Sequence, residues 1–468
     1  MAERRTAREI DQGPAPSEGE SNLSLLRRRW AAASAHAETD ALLAADARHF
    51  LHQSVSTPCL SAVAKAEGIW IEDLAGRRFM DFHGNSAHHV GYRHPRLIAA
   101  LKAQLDGLTF APRRYTCETA VALAAKLAEL APGALSKALF ATGGSDAIEI
   151  ALKVARAATG RFKTVSFWDA FHGAGFGAAS VGGEALFRSG PVGPLLAGTE
   201  HVPVYDCYRN PFGYSHTGRE PHGAHCGKVC AALIRTALEK EGDVAAVVAE
   251  PMRAVPYLAP PGFWREVRQA CDDHGALLIF DEIPTGLGKT GRLFACEHEG
   301  VAPDILVLGK ALGGGVLPIA AALCRPELDV AGAWAFGHYT HEKNPVTARA
   351  ALTTLAIIED EGLVARADAL GRHALARLGE MMDRHPLVGD VRGRGLLMGV
   401  ELVADRETRA PANQAAEEVF YRCLERGLSF KVSMGNVLTL SPPLIIDQGD
   451  LDRAFDILDE SLGEARLV

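Results

Sequence analysis

The chain has 468 residues, 48% of them hydrophobic, with 47 glycines, enough to bury one large core and a smaller one. A formal net charge of −8 leaves no basic field to hold nucleic acid or anionic lipid. No apolar run approaches the roughly 20 residues that cross a bilayer, the N-terminus lacks a signal's apolar stretch, and nine scattered cysteines fit reduced thiols, so a soluble cytoplasmic enzyme is expected.

In chain order, residues 1–20 are polar, charged and rich in Pro and Gly, and are expected to form a disordered arm. From residue 21 to about 53 the apolar spacing is helical, as at Leu23 and Leu26. Residues 64–71 and 74–79 alternate about a short turn, which predicts a hairpin. Residues 95–105, opened by Pro95, and residues 117–130 read as amphipathic helices. From about residue 137 short apolar runs recur (165–168, 244–248, 276–280, 305–308), each followed by a Gly-rich turn and a helix. Such runs belong to strands buried on both faces, and their alternation with helices predicts an α/β sheet of mainly parallel character. After Pro345 come two long helical stretches, a strand at 396–403 and a terminal helix from about Asp450. Residues 21–110 and 345–468 are therefore expected to build a smaller α+β domain, and residues 111–344 the large ligand-binding one. There is no internal repeat.

Two strand ends carry chemistry. Phe280-Asp281-Glu282-Ile283-Pro284-Thr285-Gly286 places a carboxylate at the carboxyl end of an apolar strand, where open α/β sheets bind ligands. Alone, Asp281 is as well explained as a helix cap. In Leu308-Gly309-Lys310-Ala311-Leu312-Gly313-Gly314-Gly315 a lysine closes a second such strand and enters a glycine run. Desolvating a lysine lowers its pKa and makes the amine a nucleophile; alone, Lys310 is as well explained as a side chain snorkelling to solvent. Thr142-Gly143-Gly144-Ser145-Asp146 lies between a strand and a helix, where backbone N–H groups point at an anion. An ordinary cap by Ser145 uses the same groups.

Taken together, these motifs resemble the pyridoxal-phosphate (PLP) dependent class III aminotransferases, of fold-type I, from about residue 60 to the C-terminus. The resemblance implies that Lys310 carries the cofactor as a Schiff base and that Asp281 contacts the pyridine nitrogen, with Ile283 also at the cofactor. An anion there keeps the ring protonated and a better electron sink. It also implies Gly144 and Ser145 in the phosphate cup, Phe171 stacked on the ring in Phe171-His172-Gly173, and His172 beside it. Thr340, ahead of Asn344-Pro345, is implied to reach the phosphate of a neighbouring subunit in a homodimer. Glu250 and Arg392 match a pair that, in members with two alternating substrates, masks and presents an arginine to a carboxylate; a structural ion pair is the other reading.

The implied activity moves an amino group from an amine or ω-amino acid to a 2-oxo acid. Three departures bear on this: Pro284 stands where many members have glutamine, Arg253-Ala254-Val255-Pro256-Tyr257 replaces a glycine-bearing turn, and Asn85-Ser86-Ala87-His88-His89 replaces a more apolar segment. His83-Gly84-Asn85-Ser86, Arg113-Arg114-Tyr115 and Asp281-Glu282-Ile283-Pro284 resemble the family's (R)-1-hydroxy-2-aminoethylphosphonate ammonia-lyases instead. The alternative is thus a lyase acting on a β-substituted aminoethyl phosphonate or phosphate.

Gly286-Leu287-Gly288-Lys289-Thr290-Gly291 mimics a dinucleotide fingerprint but lies too late in the sheet and has no matching acid. Cys207, His222, His225, Cys226 and Cys230 lack Cys-x-x-Cys spacing, so no metal is expected.

Overall fold

The computed structural model describes residues 24–53, 56–210, 212, 217–218 and 226–465; the expected arm at 1–20 lies outside them. The N-terminal helical stretch is two helices, Leu25–Ala33, capped by Ser24, and Ala37–His49. The expected hairpin is a three-stranded antiparallel meander of β1 (Val63–Glu67), β2 (Trp70–Asp73) and β3 (Arg78–Asp81). Asp73 closes its second turn, one carboxylate oxygen accepting from Ala75 N at 3.0 Å and Arg77 N at 2.9 Å.

The large sheet contains β4 (Lys137–Ala141), β5 (Lys163–Phe167), β6 (Thr199–Val202), β7 (Val244–Ala249), β8 (Leu277–Asp281), β9 (Ile305–Leu308) and β10 (Ala320–Cys324), in the order β4-β10-β9-β8-β7-β5-β6. Its pairs are parallel except that β10 runs antiparallel to both β4 and β9. Strands β7 to β10 are buried along their whole length, which is why their sequences run apolar without alternation. The helix Gly144–Thr159 covers one face, its Ile148, Ala151 and Val154 packing in one cluster with Ile279, Val307 and Ala322.

In the smaller unit β11 (Val388–Arg394), β12 (Leu397–Asp405), β15 (Lys431–Ser433) and β16 (Val437–Leu440) form an antiparallel sheet in the order β11-β12-β16-β15, with β13 (Ala410–Pro411) on β12. Only β12 was legible as a strand. The short β14 (Leu428–Ser429) pairs parallel with β3, so the N-terminal meander is continued by the C-terminal part of the chain. No helix among the described residues is long and apolar enough to cross a membrane.

Candidate active site

The carboxyl ends of β5, β7, β8 and β9 and the start of the helix Gly144–Thr159 carry the residues singled out in the sequence, apart from Thr340 and Arg392. Asp281 closes β8 and is 2% exposed. Its Oδ2 accepts from buried His172 Nδ1 at 2.8 Å and its Oδ1 from Ile283 N at 3.0 Å. With Nδ1 engaged, His172 Nε2 is buried with no partner. The Phe171 ring, half-buried, stands 4.6 Å from that of Phe187.

Lys310, one residue past the Gly309 that follows β9, adopts φ 43°, a left-handed conformation uncommon for a lysine. It is half-buried rather than sealed in the core. A cavity of about 270 Å³ is lined by Lys310 together with Thr142, Gly143 and Gly144. The helix starting at Gly144 has Gly143 as N-cap and hence no side-chain cap, so its first N–H groups are left without a side-chain acceptor, as an anion site requires. A Cβ at Gly144 would stand 2.8 Å from Ile283 Cδ1, so the loop and the Ile283 side chain are closely packed here. Ser145 Oγ accepts from Ala174 N at 3.1 Å and keeps its own proton to donate. A strand-end amine, an uncapped helix start and a strand-end carboxylate held by an imidazole are the donor set that a phosphate-bearing pyridine aldehyde requires. The residues present fit that cofactor.

Thr340 is exposed and is not among the residues lining the Lys310 cavity. Glu250 and Arg392 each pair with other residues rather than with one another. Buried Glu250 accepts from Ala254 N at 2.9 Å through Oε2 and faces Arg253 Nε at 3.5 Å through Oε1. Burial raises its pKa, and Arg253 and His172 oppose that rise. Arg392 Nη1 lies 2.7 Å from both Asp390 Oδ2 and Glu401 Oε2, and its Nε donates to Pro256 O at 2.7 Å. Burial opposes this charge, but Glu401, Asp390 and Asp206 hold the pKa well above its ordinary value. Arg392 lines a second cavity, of about 140 Å³, whose lining shares no residue with that of the Lys310 cavity.

Sequence reasoning missed Asp390 and Glu401. Asp390 was detectable, because residues two apart on a strand share a face. Glu401 stands opposite Asp390 in the β11–β12 register, which no local pattern states. Arg253 had been noted only as a departure; it is 2% exposed, with Nε and Nη1 hydrogen-bonded to nothing described. No group of three His, Cys, Asp or Glu among the described residues is placed to hold a metal ion; His222 and His225 lie outside those residues.

A family model described as aminotransferase class-III matches residues 52–462. The chain is 43% identical over 456 residues, 96% of its length and 95% of the relative's, to the (R)-1-hydroxy-2-aminoethylphosphonate ammonia-lyase of Vibrio splendidus. It is 38% identical to the leucine/methionine racemase of Thermococcus litoralis, over 87% of this chain and 91% of the relative. Among solved structures, a PLP-bound amine transaminase from an uncultivated Pseudomonas species superposes with a TM-score of 0.83 at 30% identity, covering 89% of this chain and 99% of the other.

Proposed function

The chain belongs to the class III aminotransferase family, and from that premise we propose that it eliminates ammonia from a β-substituted aminoethyl phosphonate of the 1-hydroxy-2-aminoethylphosphonate kind. Its architecture is fold-type I and its cofactor is pyridoxal phosphate. Amino transfer from an amine or ω-amino acid to a 2-oxo acid is the activity carried by the family match and the transaminase structures. One observation favours elimination for this chain. Arg392 is engaged by Asp390 and Glu401 while Glu250 faces Arg253, so the Glu250–Arg392 pair that would mask an arginine for a second, acidic substrate is not formed. An elimination has only one substrate and needs no such switch. The 43% identity to the ammonia-lyase over nearly the whole of both chains supports the same reading.

Lys310 would hold the cofactor through its amine and, when that amine is free, would take the proton from the carbon that bears nitrogen. When bound, pyridoxal phosphate supplies the electron sink for that broken C–H bond. Asp281 keeps the ring nitrogen protonated, and His172 fixes the carboxylate's orientation. Gly144 and Ser145 hold the phosphate, Phe171 and Ile283 flank the ring, and Thr340 completes the phosphate site of the partner in a homodimer. Residues 111–344 make the cofactor-binding domain, and 21–110 with 345–468 the smaller one, a division supported by the β3–β14 pairing. Nine free cysteines support a reducing, cytoplasmic setting.

In the elimination, hydroxide leaves the carbon next to the amine-bearing one and takes up a proton. Water is then added back as ammonia departs, which leaves an aldehyde. The balance requires no oxidant, reductant or acceptor. Purified holoenzyme given 1-hydroxy-2-aminoethylphosphonate is therefore expected to release ammonia continuously without any keto acid. Strict dependence of turnover on pyruvate or 2-oxoglutarate, with the cofactor left as the pyridoxamine form when the acceptor is withheld, would establish the transaminase instead.

The shared site has its own test. In a hybrid of Lys310→Ala and Thr340→Ala subunits, one site escapes both lesions only if Thr340 serves the partner. The hybrid is expected to recover about half the wild-type rate per dimer, far above either parent, if the two residues act as general base and phosphate ligand. A hybrid no better than the mean of its parents refutes the arrangement.

A further inference from the structure

Between β3 and the helix Pro95–Leu105 the backbone is unusual. Gly84, Asn85 and Ser86 follow one another with φ of 45°, 48° and 57°, and two of the three carry side chains, which L residues rarely place in that region. The turn is held from beneath by Asp81. One carboxylate oxygen accepts from His83 N at 2.9 Å and Gly84 N at 3.1 Å, the other from Tyr92 OH at 2.6 Å. The carbonyl of Asp81 accepts from buried His88 Nε2 at 3.0 Å. A Cβ at Gly84 would overlap the His88 ring, so the turn and that ring are fitted to each other.

This scaffold would be served equally well by glycine at positions 85 and 86. Neither the Asn85 amide nor the Ser86 hydroxyl hydrogen-bonds to a described residue; Asn85 is exposed and Ser86 half-buried. The next residue, Ala87, lines the Lys310 cavity, as does Gly315, whose Cβ position lies 3.1 Å from Ala87 O. The fold thus bears two strained polar side chains, bonded to no described residue, two and one residues before Ala87, which itself lines the Lys310 cavity. Backbone strain of this kind collects at ligand-binding sites.

We propose that Asn85 and Ser86 are specificity-determining residues that recognise the hydroxyl on the carbon next to the amine-bearing one. This rests on the lyase reading of the same site. An amide and a hydroxyl each donate and accept while remaining neutral, which matches an alcohol; a dianionic phosphonate calls for cations or N–H clusters. Sites built to hydrogen-bond a substrate hydroxyl reject the analogue that lacks it.

The test compares two amines on the holoenzyme, 1-hydroxy-2-aminoethylphosphonate and 2-aminoethylphosphonate. Dissociation constants come from the first absorbance change after rapid mixing, before turnover. Asn85→Gly and Ser86→Gly are expected to weaken the hydroxyl-bearing amine about tenfold or more and to change the other by less than about twofold. Thermal stability is expected to hold or rise, because glycine relieves the left-handed strain. Ser86→Ala, which keeps the backbone conformation and removes only the hydroxyl, is expected to show the same selective loss and gives a reading even if a glycine variant misfolds. Equal weakening of both amines, or no change in either, overturns the proposal. Ammonia release by the wild type is scored separately: its absence counts against the lyase reading, while the binding comparison still reports on the turn.

Discussion

Lys310→Ala is expected to lose at least about 10²–10⁴-fold in turnover, the range for removal of a general acid–base group, and to lose the covalent tie to the cofactor as well. Borohydride reduction of the wild type should fix the cofactor to a single peptide containing Lys310, and peptide mapping reads this directly. The result is discriminating because the chain holds another lysine with a claim. Burial brings Lys289 down to about 7, opposed only by Asp81, so its amine has a claim as a nucleophile at neutral pH. Geometry decides otherwise. Lys289 is fully buried, and its Nζ donates to Pro442 O at 2.7 Å. Lys310 shares a cavity with the uncapped helix start that can hold a phosphate. A label on Lys289 would overturn the assignment and, with it, the roles given to Asp281 and Gly144.

What was legible in the sequence follows from what each element is buried against. Strands β7, β8 and β9 announced themselves because both faces are covered. The helix opened by Pro95 is found at the expected residues, 95–105, because proline at its first turn and an apolar stripe both leave a local mark. Asp281 and Lys310 stood out in the sequence for a related reason: each follows or ends an unmistakable apolar run. Strand β11 left no such mark, since Val-Gly-Asp-Val-Arg-Gly-Arg spends its length on charge and glycine. The strain at Asn85 and Ser86 was equally silent, because a φ angle is set by Asp81, Tyr92 and His88 from outside the turn. The pairing of Glu250 with Arg392 was inferred from position in a motif. Position fixes where a Cα goes and leaves open which of several nearby charges a guanidinium will choose.

That choice has the second large consequence. Arg392→Ala is expected to destabilise the protein by about 3–5 kcal/mol, the cost of removing one member of a buried ion cluster. Two carboxylates would be stranded: Asp390, 2.7 Å away on the same face of β11, and Glu401, 2.7 Å away on β12. Arg209 would remain on Glu401 at 2.6 Å, which leaves Asp390 the more exposed to the loss. If Arg392 acts only within this ion cluster, calorimetry should register a fall of several degrees while KM for the amine shifts by less than about twofold. Arg392→Lys should rescue little. A single ammonium cannot reproduce the planar fork that meets Asp390, Glu401 and the Pro256 carbonyl together. A triple replacement of Arg392, Asp390 and Glu401 by apolar residues of similar volume should regain much of the loss, because desolvation of three charges is no longer required. The opposite pattern, unchanged stability with a KM for a keto acid raised by an order of magnitude or more, would make Arg392 a substrate clamp. The chain would then be a transaminase with two alternating substrates.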